Sequence, residues 1–182
     1  MQVRNSTRPH NLHRQIGSLF LITMLLAVMV LTQALNAPRV EYIPASLASG
    51  ALVSLTNSDR VGAHEKPLQE NQLLKKAAQM KADDMAARGY FSHVSPDGVT
   101  PWKWIQKTGY NYTYAGENLA VDFSDTGDID RAWMASTAHR ANMLNRNFTE
   151  IGIGIATGTY DGQPSVYVVQ MFGTPVKTIA RN

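Results

Sequence analysis

The chain has 182 residues, enough for one ordinary domain plus a tail, because domains cluster at about 100–150 residues. A composition of 44% hydrophobic and 17% charged residues excludes wholesale disorder, a collagen-like repeat and a long coiled coil. The absence of cysteine excludes a Cys nucleophile, a thiolate metal site and a disulfide framework together. The net charge of +3 lies wholly in residues 1–50, where Arg4, Arg8, Arg14 and Arg39 stand against Glu41 alone. The remaining 13 Lys/Arg and 13 Asp/Glu balance, so the folded part has no basic surplus for phosphates, and nucleic acid is excluded as a partner.

Residues 1–14 form a basic N-terminus. No Asp, Glu, Lys or Arg then occurs until Arg39, and Ile16–Leu35 reads IGSLFLITMLLAVMVLTQAL. At about 1.5 Å per residue this run is long enough to cross a hydrocarbon core of about 30 Å, and it shows no polar face. Residues 15–35 therefore read as a transmembrane anchor or signal segment, with the arginines before it holding the N-terminus inside and residues 36–182 outside. A signal peptide has a shorter apolar run, about 7–15 residues, and Thr32-Gln33-Ala34 is only a passable cleavage site, so an uncleaved anchor is the better reading. Residues 36–46, with Pro38 and Pro44, form a linker. Residues 47–176 make the exported domain, and 177–182 a C-terminal tail.

Along that domain, apolar spacing predicts a helix over Leu47–Arg60 and a loop over Val61–Glu70. Asn71–Arg88 places Leu74, Ala77, Ala78, Lys81 and Met85 on one i, i+3, i+4 track, and Gly89 supplies a left-handed cap. Thr100-Pro101 opens a short helix that Gly109 ends. Asp125 or Thr126 caps another, carrying Ile129, Ala132 and Trp133, and Ala138–Leu144 adds a turn or two. From Ile151 the period changes from 3.6 to 2: Ile151, Ile153 and Ile155 alternate with Gly152 and Gly154, Asp161-Gly162 turns, and Val166–Phe172 returns as a hairpin strand. Two glycines in a strand point to a close approach by something else. Helices first and a hairpin last describe an α+β domain or a sheet between helical layers.

Much catalytic apparatus is missing. There is no GxSxG elbow or glycine-rich phosphate loop. His64-Glu65 begins an HExxH-like string, but Leu68 replaces the second histidine and Pro67 breaks the helix, so His64 reads as a solvated loop residue. His93 lies between Tyr90-Phe91 and a Pro-Asp-Gly turn, His139 follows the helix of Trp133, and Glu117 sits in apolar company. Buried acids and imidazoles need partners. These three either serve as separate structural residues or share a cleft in which Glu117 orients one imidazole and a divalent metal such as Zn²⁺, or a small ligand, sits between. Ser92, Ser95 and Ser136 lie near the histidines in sequence, but serines near turns are usually caps. The three tryptophans, Trp102, Trp104 and Trp133, read as core. Arg140, Asn142 and Asn145 are expected to bond backbone carbonyls and fix the loop into the hairpin.

The ordered strings Met85–His93, Ser95-Pro96-Asp97-Gly98, Gly116-Glu117-Asn118-Leu119-Ala120, Ala132-Trp133-Met134, Ala138–Leu144 and Phe148–Gly154 resemble the CAP superfamily. That superfamily holds cysteine-rich secretory proteins, antigen 5 and pathogenesis-related proteins, and the chain is most similar to its bacterial SCP-like extracellular branch. The resemblance implies a CAP-like α-β-α sandwich with a central antiparallel sheet, and a cleft at which His93, Glu117 and His139 match the family's positions. A glutamate common in relatives falls at Ser136 here; Glu150 and Asn118 are further cleft candidates. Family members have varied functions, so the fold assigns no reaction.

Two function classes follow, beside a purely structural envelope protein in which the cleft residues serve stability alone. The first is a membrane-anchored extracytoplasmic binding module, with lipid, glycan or envelope protein as partners; the lack of a marked nucleophile favours it over an enzyme. The alternative is a cell-envelope hydrolase, peptidase-like, in which Glu117 is the base and Ser136 or a metal-bound water the nucleophile.

Overall fold

The computed structural model describes residues 45–123 and 125–176, together with Met24, Leu25 and Met29. The expectations for the N-terminus, most of the 15–35 segment, most of the linker and the tail lie outside the described residues. Among the described residues no helix is long and apolar enough to cross a membrane. The chain divides into two units, Met1–Tyr42 and Ile43–Asn182, and the second carries the fold described below.

In chain order the elements are α1 (Ala45–Gly62), β1 (Gln69–Glu70), α2 (Gln72–Arg88), α3 (Pro101–Lys107), β2 (Tyr112–Val121), α4 (Thr126–Ala135), α5 (Thr137–Met143), β3 (Glu150–Tyr160) and β4 (Gln163–Pro175). Their ends follow local chemistry. Asn71 caps α2 by accepting from the Leu73 and Leu74 N–H groups, and Gly89 ends it at φ 64°. Asp125, rather than Thr126, caps α4, accepting from Gly127 and Asp128. Thr100 precedes α3 without a side-chain cap bond, and Pro101 fills its first position.

The sheet runs β1-β3-β4-β2. β3 pairs antiparallel with β4 through the Asp161-Gly162 turn, whose φ values of 49° and 77° suit a tight hairpin. β4 pairs antiparallel with β2. The expected all-antiparallel sheet needs one correction: β1 runs parallel to β3, joining Gln69 to Glu150 and Glu70 to Ile151, within the stretch read as loop. Two residues are too few for periodicity to show.

Both faces of the sheet are covered, so β4 is buried continuously over Tyr167–Gly173 yet still sorts its side chains by parity. Tyr167, Val169 and Met171 join Leu119 in a core with α2 and α3, from Leu74, Ala77, Ala78, Ala82, Met85, Trp104 and Ile105. Val168 and Phe172 join Ala120, Ile151 and Ile153 on the opposite face, against Leu52 of α1, Ile129 and Trp133 of α4, and Met143 of α5. This is the helix–sheet–helix sandwich. Trp104 and Trp133 are core as expected; Trp102 is instead exposed, because α3 turns only its Pro101, Trp104, Ile105 face inward.

The glycines of β3 report the close approach anticipated for them. A Cβ on Gly152 would stand 2.1 Å from the Lys75 nitrogen, and one on Gly154 2.2 Å from the Ala78 carbonyl carbon. Helix α2 thus lies with its backbone directly on β3, which its alanines permit. The Gln79 side chain completes the contact, donating to Ile155 O at 2.8 Å and accepting from Ile155 N at 3.1 Å.

Candidate functional site

β2 is an outer strand, with β4 on one side only. Its Glu117 shares a face with Leu119 and Met171, toward α2, whereas Asn118 points to the other layer. Elements from both layers therefore meet along this edge, and that meeting forms the site.

From the α2 side comes His93. Its Nδ1 lies 2.7 Å from Glu117 Oε1. The Glu117 side chain is 2% exposed, the His93 side chain 58%. When Glu117 is ionised, His93 Nδ1 donates the hydrogen bond and Nε2 is left as the ring's acceptor on the exposed side. The loop bearing His93 is held from beneath by Lys81, fully buried, whose Nζ donates to the Ser92 and His93 carbonyls at 2.8 Å each. Further along, Arg88 pairs with Asp97 at 2.6 Å, and Ser95 Oγ accepts from Val99 N at 3.0 Å.

From the other layer comes α5, docked by side-chain amides. Asn142 Nδ2 donates to the Glu117 carbonyl at 3.0 Å and to Asn118 Oδ1 at 2.9 Å. Asn118 Nδ2 donates to the His139 carbonyl at 3.1 Å and to Gln170 Oε1 at 2.9 Å, and Gln170 Nε2 donates to Thr56 Oγ1 of α1 at 2.9 Å. Two strand positions along from Glu117, the Leu119 carbonyl accepts from Trp133 Nε1 at 2.9 Å. Side chains thus satisfy the Glu117 and Leu119 carbonyls of this outer strand, which blunts that stretch against pairing with another strand.

Electrostatics bind the parts together. Burial raises the Glu117 carboxyl above its ordinary value, against the opposing pull of the His93 hydrogen bond and of Lys81. Burial lowers Lys81, with Glu117 and Asp84 pulling the other way. His139, half-buried, is lowered first by desolvation and then by His93, so both imidazoles share one neighbourhood. One oxygen remains unsatisfied: Glu117 Oε2 is buried without a hydrogen-bond partner.

His93 and Glu117 are thus in direct contact, and Asn118, the next residue of β2, holds the helix of His139 beside them through the His139 carbonyl. Ser136 is the residue between α4 and α5, and its N–H and carbonyl bond to Ala132, Trp133 and Arg140. Ser92 Oγ accepts from Val94 N at 3.3 Å, so Ser92 and Ser95 serve as turn residues. Glu150 lies elsewhere, accepting from Tyr110 OH at 2.6 Å and Asn71 Nδ2 at 3.1 Å. Among the described residues no three His, Asp or Glu side chains are grouped as direct metal ligands. Glu117 Oε1 is engaged by the His93 ring, so this carboxylate stands behind that imidazole and orients it.

Sequence reasoning missed two cations. Lys81 sat on the apolar track with nothing to say what its charge met. The sequence points to Arg140, Asn142 and Asn145 for fixing the loop into the hairpin. Asn142 does bond a carbonyl, but on β2, and the Asn145 amide oxygen accepts from Asn147 N at 3.0 Å. The loop is tied instead by buried Arg60, which donates to the Met143, Asn145 and Lys66 carbonyls at 2.7, 3.0 and 2.8 Å.

A sheet sandwiched by helices, with a histidine from each layer over an edge-strand acid, defines the class. Residues 53–172 match the model of the Cysteine-rich secretory protein family, CAP, and the chain belongs to that family. It is 38% identical over 122 residues to YkwD of Bacillus subtilis (strain 168), covering 67% of this chain and 46% of YkwD. It is 30% identical over 104 residues to the membrane protein YlbC of the same organism, covering 57% of this chain and 30% of YlbC. The chain therefore spans less than half the length of these relatives. Among solved structures it is similar to an extracellular protein containing a SCP domain from Bacillus anthracis str. Ames, with TM-score 0.60 and 30% identity, covering 71% of this chain and 41% of that one.

Proposed function

We propose that this chain is an extracytoplasmic binding module, tethered by residues 15–35, whose His93/Glu117/His139 cleft takes a divalent metal or a small envelope ligand. The observation that carries the reading is the 2.7 Å contact between His93 and a buried carboxylate, with a second imidazole in the same electrostatic neighbourhood. A carboxylate behind an imidazole fixes its tautomer and raises its basicity as a ligand. His93 Nε2 and His139 would hold a metal such as Zn²⁺, and Glu117 would orient His93. A bound ion would supply positive charge to an anionic or carbonyl-bearing partner. Relatives described as extracellular and as a membrane protein support placement outside the cytoplasm.

Calorimetric titration of the purified protein with Zn²⁺ tests the metal. The expected result is affinity lowered more than tenfold in His93→Ala and in His139→Ala, and about tenfold in Glu117→Gln through the lost orienting bond. Equal binding by wild type and both histidine variants would remove the metal from the reading.

A further inference from the structure

On the face opposite α2, helices α1 and α4 pack together through Leu52, Ile129 and Trp133. Within this contact lie two acids that form no salt bridge among the described residues. Asp130 of α4 is 8% exposed, and its Oδ1 is buried without a partner; Oδ2 of Asp59 on α1 is likewise buried and unpartnered. The nearby positive groups are committed elsewhere. Arg60, next to Asp59, turns its guanidinium to the carbonyls of Lys66, Met143 and Asn145. Arg131, next to Asp130, pairs with Asp128. On α5, which packs on α4, His139 lies toward His93 and Arg140 is exposed. On β3, which packs on α1, Glu150 is bonded to Tyr110 and Asn71.

Two ionised carboxylates placed this way would repel across a dry contact. One proton between them turns the repulsion into a short O–H···O hydrogen bond and satisfies both orphaned oxygens. We infer that Asp59 and Asp130 share a proton and form an acid-strengthened clamp between α1 and α4. The surroundings act in that direction: burial, the Asp59 charge and the bond to Asp59 push the Asp130 carboxyl up to about 6, with Arg131 opposing. Because α4 runs through Ser136 into α5, the clamp steadies the helix pair that carries His139.

The sign of the pH effect follows from proton counting. Between the ordinary Asp value near 4 and about 6, the folded protein holds a proton that the unfolded chain has released, so this contribution declines as pH rises through that window and is gone above it. The experiment is chemical unfolding of the full chain from pH 4.5 to 7.5, for wild type and Asp130→Asn, in which the amide keeps a donor in place. The expected result is a ratio of wild-type to variant unfolding constants that climbs toward 6, at most tenfold per pH unit, then levels. Carboxyl NMR gives a second measurement that does not depend on the variant folding well: in wild type the Asp130 carbon should titrate near 6, and in Asp59→Asn it should titrate lower. A pH-independent ratio, or Asp130 titrating in the ordinary Asp range, would overturn the inference. So would wild-type stabilisation by millimolar Ca²⁺ at pH 7.5 that disappears in Asp130→Asn, since the pair would then be a cation site.

Discussion

Replacing Lys81 by Met tests how His93 is held. The substitution keeps an unbranched chain of similar length in the α2–β2 core and removes only the ammonium. Two charge-assisted hydrogen bonds, to the Ser92 and His93 carbonyls at 2.8 Å, are lost. Bonds of this kind contribute about 1.5 kcal/mol each at the low end, the appropriate end here because both residues are exposed and water can reach their carbonyls. The loss is thus about 3 kcal/mol. Relief from burying a fully enclosed ammonium offsets about 1 kcal/mol of it, leaving a net destabilisation of about 2 kcal/mol. For a folded unit of this size that corresponds to a Tm lowered by about 7 °C. Glu117 would also lose the downward pull of the Lys81 charge, so its carboxyl would rise further above the ordinary value. Calorimetry gives the Tm, and amide exchange locates the damage: protection should fall over Ser92–Val99 while β3 and β4 stay protected. A Lys81→Met protein with unchanged Tm and unchanged exchange in that loop would refute the reasoning, because Lys81 would then not be what fixes His93.

Two further substitutions probe the frame around the site. Gly154→Ala forces a methyl to within 2.2 Å of helix backbone that has no side-chain freedom to yield, and should cost about 3 kcal/mol in urea unfolding; a cost below about 0.5 kcal/mol would mean α2 does not lie directly on β3. Arg60→Leu leaves the Met143, Asn145 and Lys66 carbonyls without their donor and should cost about 3 kcal/mol by denaturant midpoint. Arg60→Lys should restore only part of this, since a single ammonium cannot span the same carbonyls.

Which parts of this architecture were legible depends on how far apart the cause and its residue lie. The caps of α2 and α4, the hairpin turn and the alternating β3 are local, and each is written within a few residues. The glycines of β3 announced a close approach without naming α2 as the element that makes it. β2 escaped the periodicity test because its second half, Gly116–Ala120, is buried on both faces, so polar and apolar residues do not alternate there. β1 exists only through its partner strand. The cleft was legible as three residues that each needed company, and the family strings placed them together. The Asn118–Gln170–Thr56 amide chain and the Asp59–Asp130 pair join positions far apart in sequence, and no spacing rule connects them.

The convergence of His93, Glu117 and His139 over the edge of β2 is the claim on which the functional reading depends. The most direct measurement is the imidazole titration of His139 by ¹H–¹⁵N NMR, in wild type and in His93→Ala. The account predicts that His139 titrates below its ordinary value of about 6.5 in wild type and moves back up when His93 is removed. A His139 titration that is the same in both proteins would contradict it, because the two imidazoles would then not share a cleft.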